Sequence, residues 1–171
     1  LTLIYKVVGG GTEQMSRMAA GAELDLLTGL GNGFDTSNDA RRPLLVGGGV
    51  GVPPLYKLAK ALLAEGKPVS VVLGFNTADE VFYADEFRAL GCDVHVATAD
   101  GSAGTKGFVT TAIAECRPEF DYFYACGPLP MLRALCDAVP QDGQVSFEER
   151  MGCGFGACMG CSCKTKYGNK R

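Results

Sequence analysis

Three cysteines, Cys153, Cys158 and Cys161, follow one another at x4 and x2 spacing within the stretch MGCGFGACMGCSCK. Thiolates at that spacing match the C-x4-C-x2-C part of plant-type 2Fe-2S ligation, whose fourth cysteine arrives from further along the chain. Glycines at 152, 154, 156 and 160 suit a loop that wraps a cluster and aims its amides at sulfur. Zinc more commonly uses two C-x2-C pairs separated by a longer span. The spacing therefore favours iron and sulfide, with zinc and free thiols as the competing readings.

Two glycine-rich stretches fall where a nucleotide-binding sheet would place its ligand. VGGGVGVPP (46–54) follows a strand pattern and opens a helix pattern, so its amides are available to a phosphate or a flavin edge. In Gly49-x-Gly51-x-x-Pro54 a proline stands where the dinucleotide fingerprint has its last glycine, which leaves ligand binding and close packing both open. YACGPLPML (124–132) brings Cys126, Gly127 and Pro128 to a strand end, with Met131 beginning the next helix. Its plainer reading is a buried cysteine, a turn and a helix-starting proline. VVGGGT (7–12) either presents amides and the Thr12 hydroxyl to a diphosphate or is only a hairpin turn. The single histidine, His95, lies mid-strand in DVHVATA and reads as structural; no Ser/His/Asp constellation is visible.

These stretches need elements to position them. From Arg41 onward, strand patterns at 43–46, 69–75, 93–97, 122–126 and 144–147 alternate with helix patterns at 54–65, 78–90, 107–115 and 128–138. Gly66 and Gly91 stand as helix stops. That alternation predicts an α/β fold: a five-stranded, doubly wound parallel sheet with helices on both faces. Before it, LTLIYKVV and ELDLLTGLGNGF read as two strands of an antiparallel barrel whose earlier strands are absent, and Leu1 in place of Met reads as a cut edge. After Phe147 periodicity is lost in a glycine- and cysteine-rich segment.

Composition narrows the function classes. The 171 residues are 47% hydrophobic with a net charge of −3, enough for a full core, and no dense basic cluster points to nucleic acid. The longest apolar run, LLVGGGVGVPPL, is too short and glycine-rich for a membrane span of roughly 20 residues. Cys92, Cys116, Cys126 and Cys136 are scattered singly through apolar segments, which suits a reducing cytoplasm better than a disulfide framework.

Together, VSFEERMGCGFGACMGCSCKT, LLVGGGVGVPPLYKLA, YACGPLPML and YKVVGGGT…GLGNGF resemble, in order and over essentially the whole chain, the electron-transfer subunits of NAD-linked bacterial dihydroorotate dehydrogenases, within the ferredoxin reductase superfamily. The resemblance implies a flavin-binding barrel (1–40, truncated), a Rossmann-like NAD domain (41–148) and a 2Fe-2S segment (149–171, incomplete). It implies FAD and a 2Fe-2S cluster as cofactors and NAD as substrate. The implied partner is an FMN-bearing catalytic subunit, in a cytoplasmic heterotetramer serving pyrimidine biosynthesis.

Position by position, the resemblance puts Ile4, Tyr5 and Lys6 against FAD and Gly11 with Thr12 at its diphosphate. Gly49, Gly51 and Pro54 fall where the nicotinamide half approaches. Cys126, Gly127 and Pro128 fall opposite the flavin ring, and Cys153, Cys158 and Cys161 are three cluster ligands. Two features depart from the family pattern. The fourth cluster cysteine has no counterpart, because KTKYGNKR looks like the hairpin that precedes it and Cys163 matches a position that is not a ligand. The Arg-Pro-x-Ser flavin motif is also missing upstream. A related flavin reductase subunit with another partner, or a zinc-knuckle docking module, are the alternative readings.

Overall fold

A computed structural model describes residues 2–147, 152–155, 157, 158, 160, 161, 163–165 and 168–170. It separates the chain into two compact units, one of Leu1–Gly33 with Glu149–Arg171 and one of Phe34–Glu148.

The larger unit is a parallel sheet of six strands in the order β4-β3-β2-β1-β5-β6. Its elements are β1 (Pro43–Gly48), α2 (Val52–Ala64), β2 (Ser70–Phe75), α3 (Ala84–Ala89), β3 (Asp93–Thr98), β4 (Thr105–Lys106), α4 (Val109–Cys116), β5 (Tyr122–Gly127), α5 (Leu129–Ala138) and β6 (Gly143–Phe147). The expectation of five strands is corrected by β4. Two residues are too few to show a period, so this strand is defined only by its pairing of Ala97 with Thr105 and Thr98 with Lys106.

Both sheet faces are covered, as parallel strands require. On one face Leu45, Val71 and Leu73 pack with Leu55, Leu58 and Leu62 of α2 and Phe87 of α3. Alternate residues Leu44, Val46 and Val72 meet Val109 and Ala112 of α4 and Leu132 and Leu135 of α5 on the other. The spacing of Leu55, Leu58 and Leu62 is the i, i+3, i+7 stripe that fixes which side of α2 is buried.

Helix ends follow local chemistry. Gly66 (φ +78°) ends α2, with its amide on Leu63 O and the Lys67 amide on Leu62 O. The single helix expected over 78–90 is instead a short 3-10 turn at Ala78–Glu80 and the separate α3. Tyr83 interrupts it at φ +66°, a conformation in which a helix cannot continue; its ring packs edge-on against Tyr56 at 5.0 Å.

Residues 34–40 belong with the sheet. The Asn38 side-chain amide donates to the buried Tyr124 hydroxyl (2.8 Å), and Gln144 both donates to Asp35 O (2.7 Å) and accepts from the Asp35 amide (2.8 Å). The strap leads directly into β1, where Asp121 caps the Arg41 and Arg42 amides.

In the smaller unit, no strand forms among the described residues of 2–33, and Gly10–Ser16 is a helix, α1. The two strands expected there are therefore corrected. A strand needs a partner strand, and among the described residues no strand pairing forms at 2–8 or 23–34. The glycine run expected to turn instead enters the first turn of α1, where the Thr12 hydroxyl accepts from the Val8 (3.0 Å) and Gly9 (3.2 Å) amides and donates to Gly9 O (3.0 Å). Near the other end, β7 (Cys163–Thr165) pairs antiparallel with β8 (Gly168–Lys170). Cys163 thus sits on a hairpin strand.

Candidate functional site

The strand order reverses between β1 and β5, which neighbour each other but connect outward in opposite directions. In open α/β sheets the ligand crevice lies at the C-terminal ends of the strands at such a reversal. The residues at that point are Gly48–Gly51 after β1 and Cys126–Pro128 after β5, with Gly47 in register with Cys126. Two stretches some 80 residues apart in sequence form one mouth.

The glycines there do different work. A Cβ on Gly47 would lie 2.9 Å from Val52, and one on Gly51 would collide with the Cys126 carbonyl oxygen. A Cβ on Gly48 would come within 2.5 Å of the Met131 sulfur. These three are close-packing glycines. Gly49 differs, because its φ is +51° and a Cβ would meet nothing within 4 Å, so its backbone faces open space. Pro54 lies exposed in the first turn of α2, where its missing N–H has no intrahelical partner to lose. That explains the departure from the glycine fingerprint.

Cys126 is 8% exposed, Gly127 is buried with φ +155°, and Pro128 is the exposed N-cap of α5. The cysteine is held at the strand end beside the mouth. Further along the same rim, Ser102 Oγ accepts from the Ala78 amide (2.7 Å) and donates to Asp100 (2.6 Å). This clamp ties the β2 and β3 ends together, and the Ser102 hydroxyl and amide hold the Asp100 carboxyl below its ordinary pKa. Glu80 likewise accepts from the Asn76 side chain at 2.8 Å. His95 is paired with Asp93 at 3.1 Å on β3, away from the strand ends that form the mouth.

In the smaller unit, Ile4, Tyr5 and Lys6 are exposed, and Tyr5 lines a small apolar cavity with Leu3, Met15, Met18 and Leu24. The Thr12 hydroxyl is turned onto its own backbone. What α1 offers an anion is the set of first-turn amides of Gly10, Gly11 and Thr12, over glycines whose added Cβ would meet nothing within 4 Å.

The cysteine loop brings Cys153 and Cys158 together. The Cys158 amide donates to Cys153 Sγ at 3.5 Å. That contact first, with the Phe155 amide next, pulls the Cys153 thiol down to about 6, which favours its thiolate form. By contrast, burial pushes Cys92 up to about 11. Cys158 Sγ lies 3.3 Å from where a Cβ of Gly152 would be and 3.5 Å from that of Gly160, so two glycines give it room. Thiolate character, amide-to-sulfur contacts and a glycine collar fit a cluster-binding loop. Among the described residues no three metal-ligating side chains converge, so Cys161 is not drawn onto the other two. Gly156 and residues 149–151 lie outside the described residues.

Sequence reasoning missed the place of Met131 at the mouth, which it took only for a helix start. The pairing of Gly48 and Gly127 with a long side chain one turn into α5 was the available signal.

Comparisons with known proteins agree with this geometry. The family model described as oxidoreductase NAD-binding domain matches residues 45–137, more than half of the chain. The model described as iron-sulfur cluster binding domain of dihydroorotate dehydrogenase B matches residues 148–171. The chain is 50% identical over 172 residues to the dihydroorotate dehydrogenase B (NAD(+)) electron transfer subunit of Fusobacterium nucleatum subsp. nucleatum, covering 97% of this chain and 66% of that protein. It is 52% identical over 167 residues to the protein of the same name from Lysinibacillus sphaericus, covering 96% and 65%. The chain thus spans about two thirds of the length of these curated relatives.

Among solved structures, one from an NADH-dependent reduced ferredoxin-NADP oxidoreductase superposes with a TM-score of 0.83 at 36% identity, covering 97% of this chain and 62% of that one. No helix among the described residues is long and apolar enough to cross a membrane. A doubly wound sheet with its mouth at the β1/β5 reversal and a matching family model have one reading: the chain belongs to the oxidoreductase NAD-binding domain family.

Proposed function

We propose that the chain works as the electron-transfer subunit of a dihydroorotate dehydrogenase, taking electrons from an FMN-bearing catalytic subunit and delivering them to NAD+ in pyrimidine biosynthesis. The observation that carries this reading is the 50% identity to such a subunit over 97% of the chain, running through both the sheet and the cysteine loop. The cofactors supply the redox chemistry: a 2Fe-2S cluster moves single electrons, and FAD gathers them into the two-electron exchange with NAD+.

The protein's part is to hold these groups. Cys153, Cys158 and Cys161 bind the cluster, and the amides that converge on Cys153 lower the charge cost of its thiolate. Ile4, Tyr5 and Lys6 form the flavin-contacting segment, with the first-turn amides at Gly11 and Thr12 on the diphosphate. At the β1/β5 mouth, Gly49 offers uncovered backbone to the nicotinamide half. Gly51 and Pro54 shape the turn beneath it, and Cys126, Gly127 and Pro128 present the face turned to the flavin. Assembly with the catalytic subunit as a cytoplasmic heterotetramer completes the reading.

The likeness to the ferredoxin-linked reductase favours one other reading, a related NAD(P)H reductase subunit with a different partner. Dihydroorotate separates the two. Mixed with the FMN catalytic subunit and NAD+, the full chain is expected to form NADH only when dihydroorotate is added, and neither subunit alone should do so. A chain that stays silent with dihydroorotate but exchanges electrons with reduced ferredoxin would replace this reading with the second.

A further inference from the structure

We infer that Tyr124 and Gln144 are positioning residues for hydride transfer: with Asn38 they pin the strap of residues 34–40 to the sheet, so that the chain coming from the flavin-contacting segment is held up to Phe34 and bends in the glycine turn before it. The inference rests on the reading that residues 4–12 hold FAD and that NAD+ reacts at the β1/β5 mouth.

The strap turns alternate residues toward the sheet: Phe34, Thr36 and Asn38 are half-buried and Ala40 is buried, while Asp35, Ser37 and Asp39 are exposed. Such alternation belongs to a strand, yet residues 34–40 have no place in the strand order, so side chains hold them. Gln144 does this as a neighbouring peptide would, because its one amide group accepts from the Asp35 N–H (2.8 Å) and donates to the Asp35 carbonyl (2.7 Å). Tyr124 is its register partner on β5. The Tyr124 hydroxyl accepts from the Asn38 side-chain amide (2.8 Å) and donates to Asp35 O (3.3 Å), and the Phe34 ring packs edge-on to the Tyr124 ring at 5.5 Å. With Asp121 on the Arg41 and Arg42 amides, the strap is fixed at both ends.

Stability alone does not account for this set. Tyr124 is fully enclosed in an apolar cluster, where phenylalanine would fill the same space, and its hydroxyl bonds to the strap twice. The Asp35 peptide is exposed, so water could satisfy it; replacing that water with Gln144 adds little net stability and immobilises a long side chain. What the contacts secure is the path of the backbone. Immediately before Phe34 the chain changes character: Gly29 and Gly31 take φ of +72°, and a Cβ on Gly29, Gly31 or Gly33 would meet nothing within 4 Å. The division between the two compact units falls between Gly33 and Phe34. Bare glycines allow rotation that the pinned strap does not. Hydride transfer needs its reacting atoms about 3–3.5 Å apart, and a misplacement of about 1 Å costs about 100-fold in rate. Play in the strap would add to that of the glycine turn and slow the transfer.

The test uses the full-length subunit with its flavin. In anaerobic stopped flow, NADH gives up a hydride with its electron pair to the oxidised flavin, leaving NAD+ and the reduced flavin anion, and the limiting rate at saturating NADH is read apart from the apparent dissociation constant. Tyr124→Phe combined with Gln144→Ala should lower the limiting rate by about tenfold and leave the dissociation constant within about twofold. Hydrogen exchange of the same variant should quicken in residues 34–40 and keep its wild-type rates in β1 and β5.

Thermal unfolding reports whether the fold is kept, and Tyr124→Phe alone, which retains the ring, serves if the double variant fails to fold. An unchanged limiting rate, an equal loss of rate and affinity, or a slower rate with no quickening of exchange in 34–40 would each overturn the inference. A wild-type subunit whose flavin NADH does not reduce would instead remove the reading beneath it, and the inference with it.

Discussion

Gly51→Ala is expected to lower the unfolding free energy of the sheet unit by about 3 kcal/mol, the upper part of the range for forced overpacking. The new methyl would collide with the Cys126 carbonyl oxygen and lie 2.5 Å from its carbon and 2.7 Å from the Gly127 nitrogen. All three are backbone atoms, so no side chain can rotate away. Strand β5 cannot retreat either, since it is hydrogen-bonded to β1 on one side and β6 on the other. In urea the midpoint should fall while the slope stays constant.

Gly49→Ala is the comparison that isolates the cause. Its methyl would enter open space, and only the left-handed φ of +51° opposes it, for about 1–2 kcal/mol. A Gly51→Ala midpoint equal to wild type would mean that the turn after β1 does not press on β5.

Cys158→Ser is expected to cut electron delivery from the FMN subunit by at least about 100-fold, beyond the usual effect of losing a residue that merely supports a metal ligand. A serine hydroxyl stays protonated where a thiol can ionise, so the donor is lost. The neighbouring Gly152 and Gly160, which lie against Cys158 Sγ, carry no side chain that could replace it. Oxidation of NADH with an artificial acceptor should remain largely intact, because the cluster lies on one side of the flavin in the proposed order of carriers. Stopped-flow assays of the two half-reactions check this. An equal fall in both would show that the order is wrong.

How far the sequence alone reached can be traced through particular elements. The α2 stripe of Leu55, Leu58 and Leu62 carries its period openly and β2 is a continuous apolar run, and both elements form at those stretches. Strand β4 has no period to read, and the break before α3 depends on the left-handed Tyr83, a residue type that gives no local warning of such a conformation. The N-terminal segments alternate as strands do, yet alternation only proposes a strand and a partner has to complete it.

At the mouth, the glycines were legible as a ligand loop but not as to their separate tasks. Whether a missing Cβ makes room for Met131, for Cys126 O or for a ligand depends on what lies across the sheet, and that neighbour is about 80 residues away in the chain. The cysteine spacing was the most informative local signal, since x4 and x2 are set by the cluster's own geometry rather than by the surrounding fold. The lowered Cys153 thiol follows from amides folding back onto its sulfur, which a spacing alone does not reveal.

The central claim, an NAD-linked subunit that carries a flavin and an iron-sulfur cluster, is tested most directly by anaerobic analysis of the purified full-length subunit for iron, acid-labile sulfide, zinc and flavin, followed by addition of NADH. The prediction is about two irons and two sulfides per chain with bound flavin, and a visible spectrum that bleaches when NADH is added. One zinc per chain, no iron or sulfide and no response to NADH would contradict it and leave the cysteine loop as a docking knuckle on an NAD-binding fold.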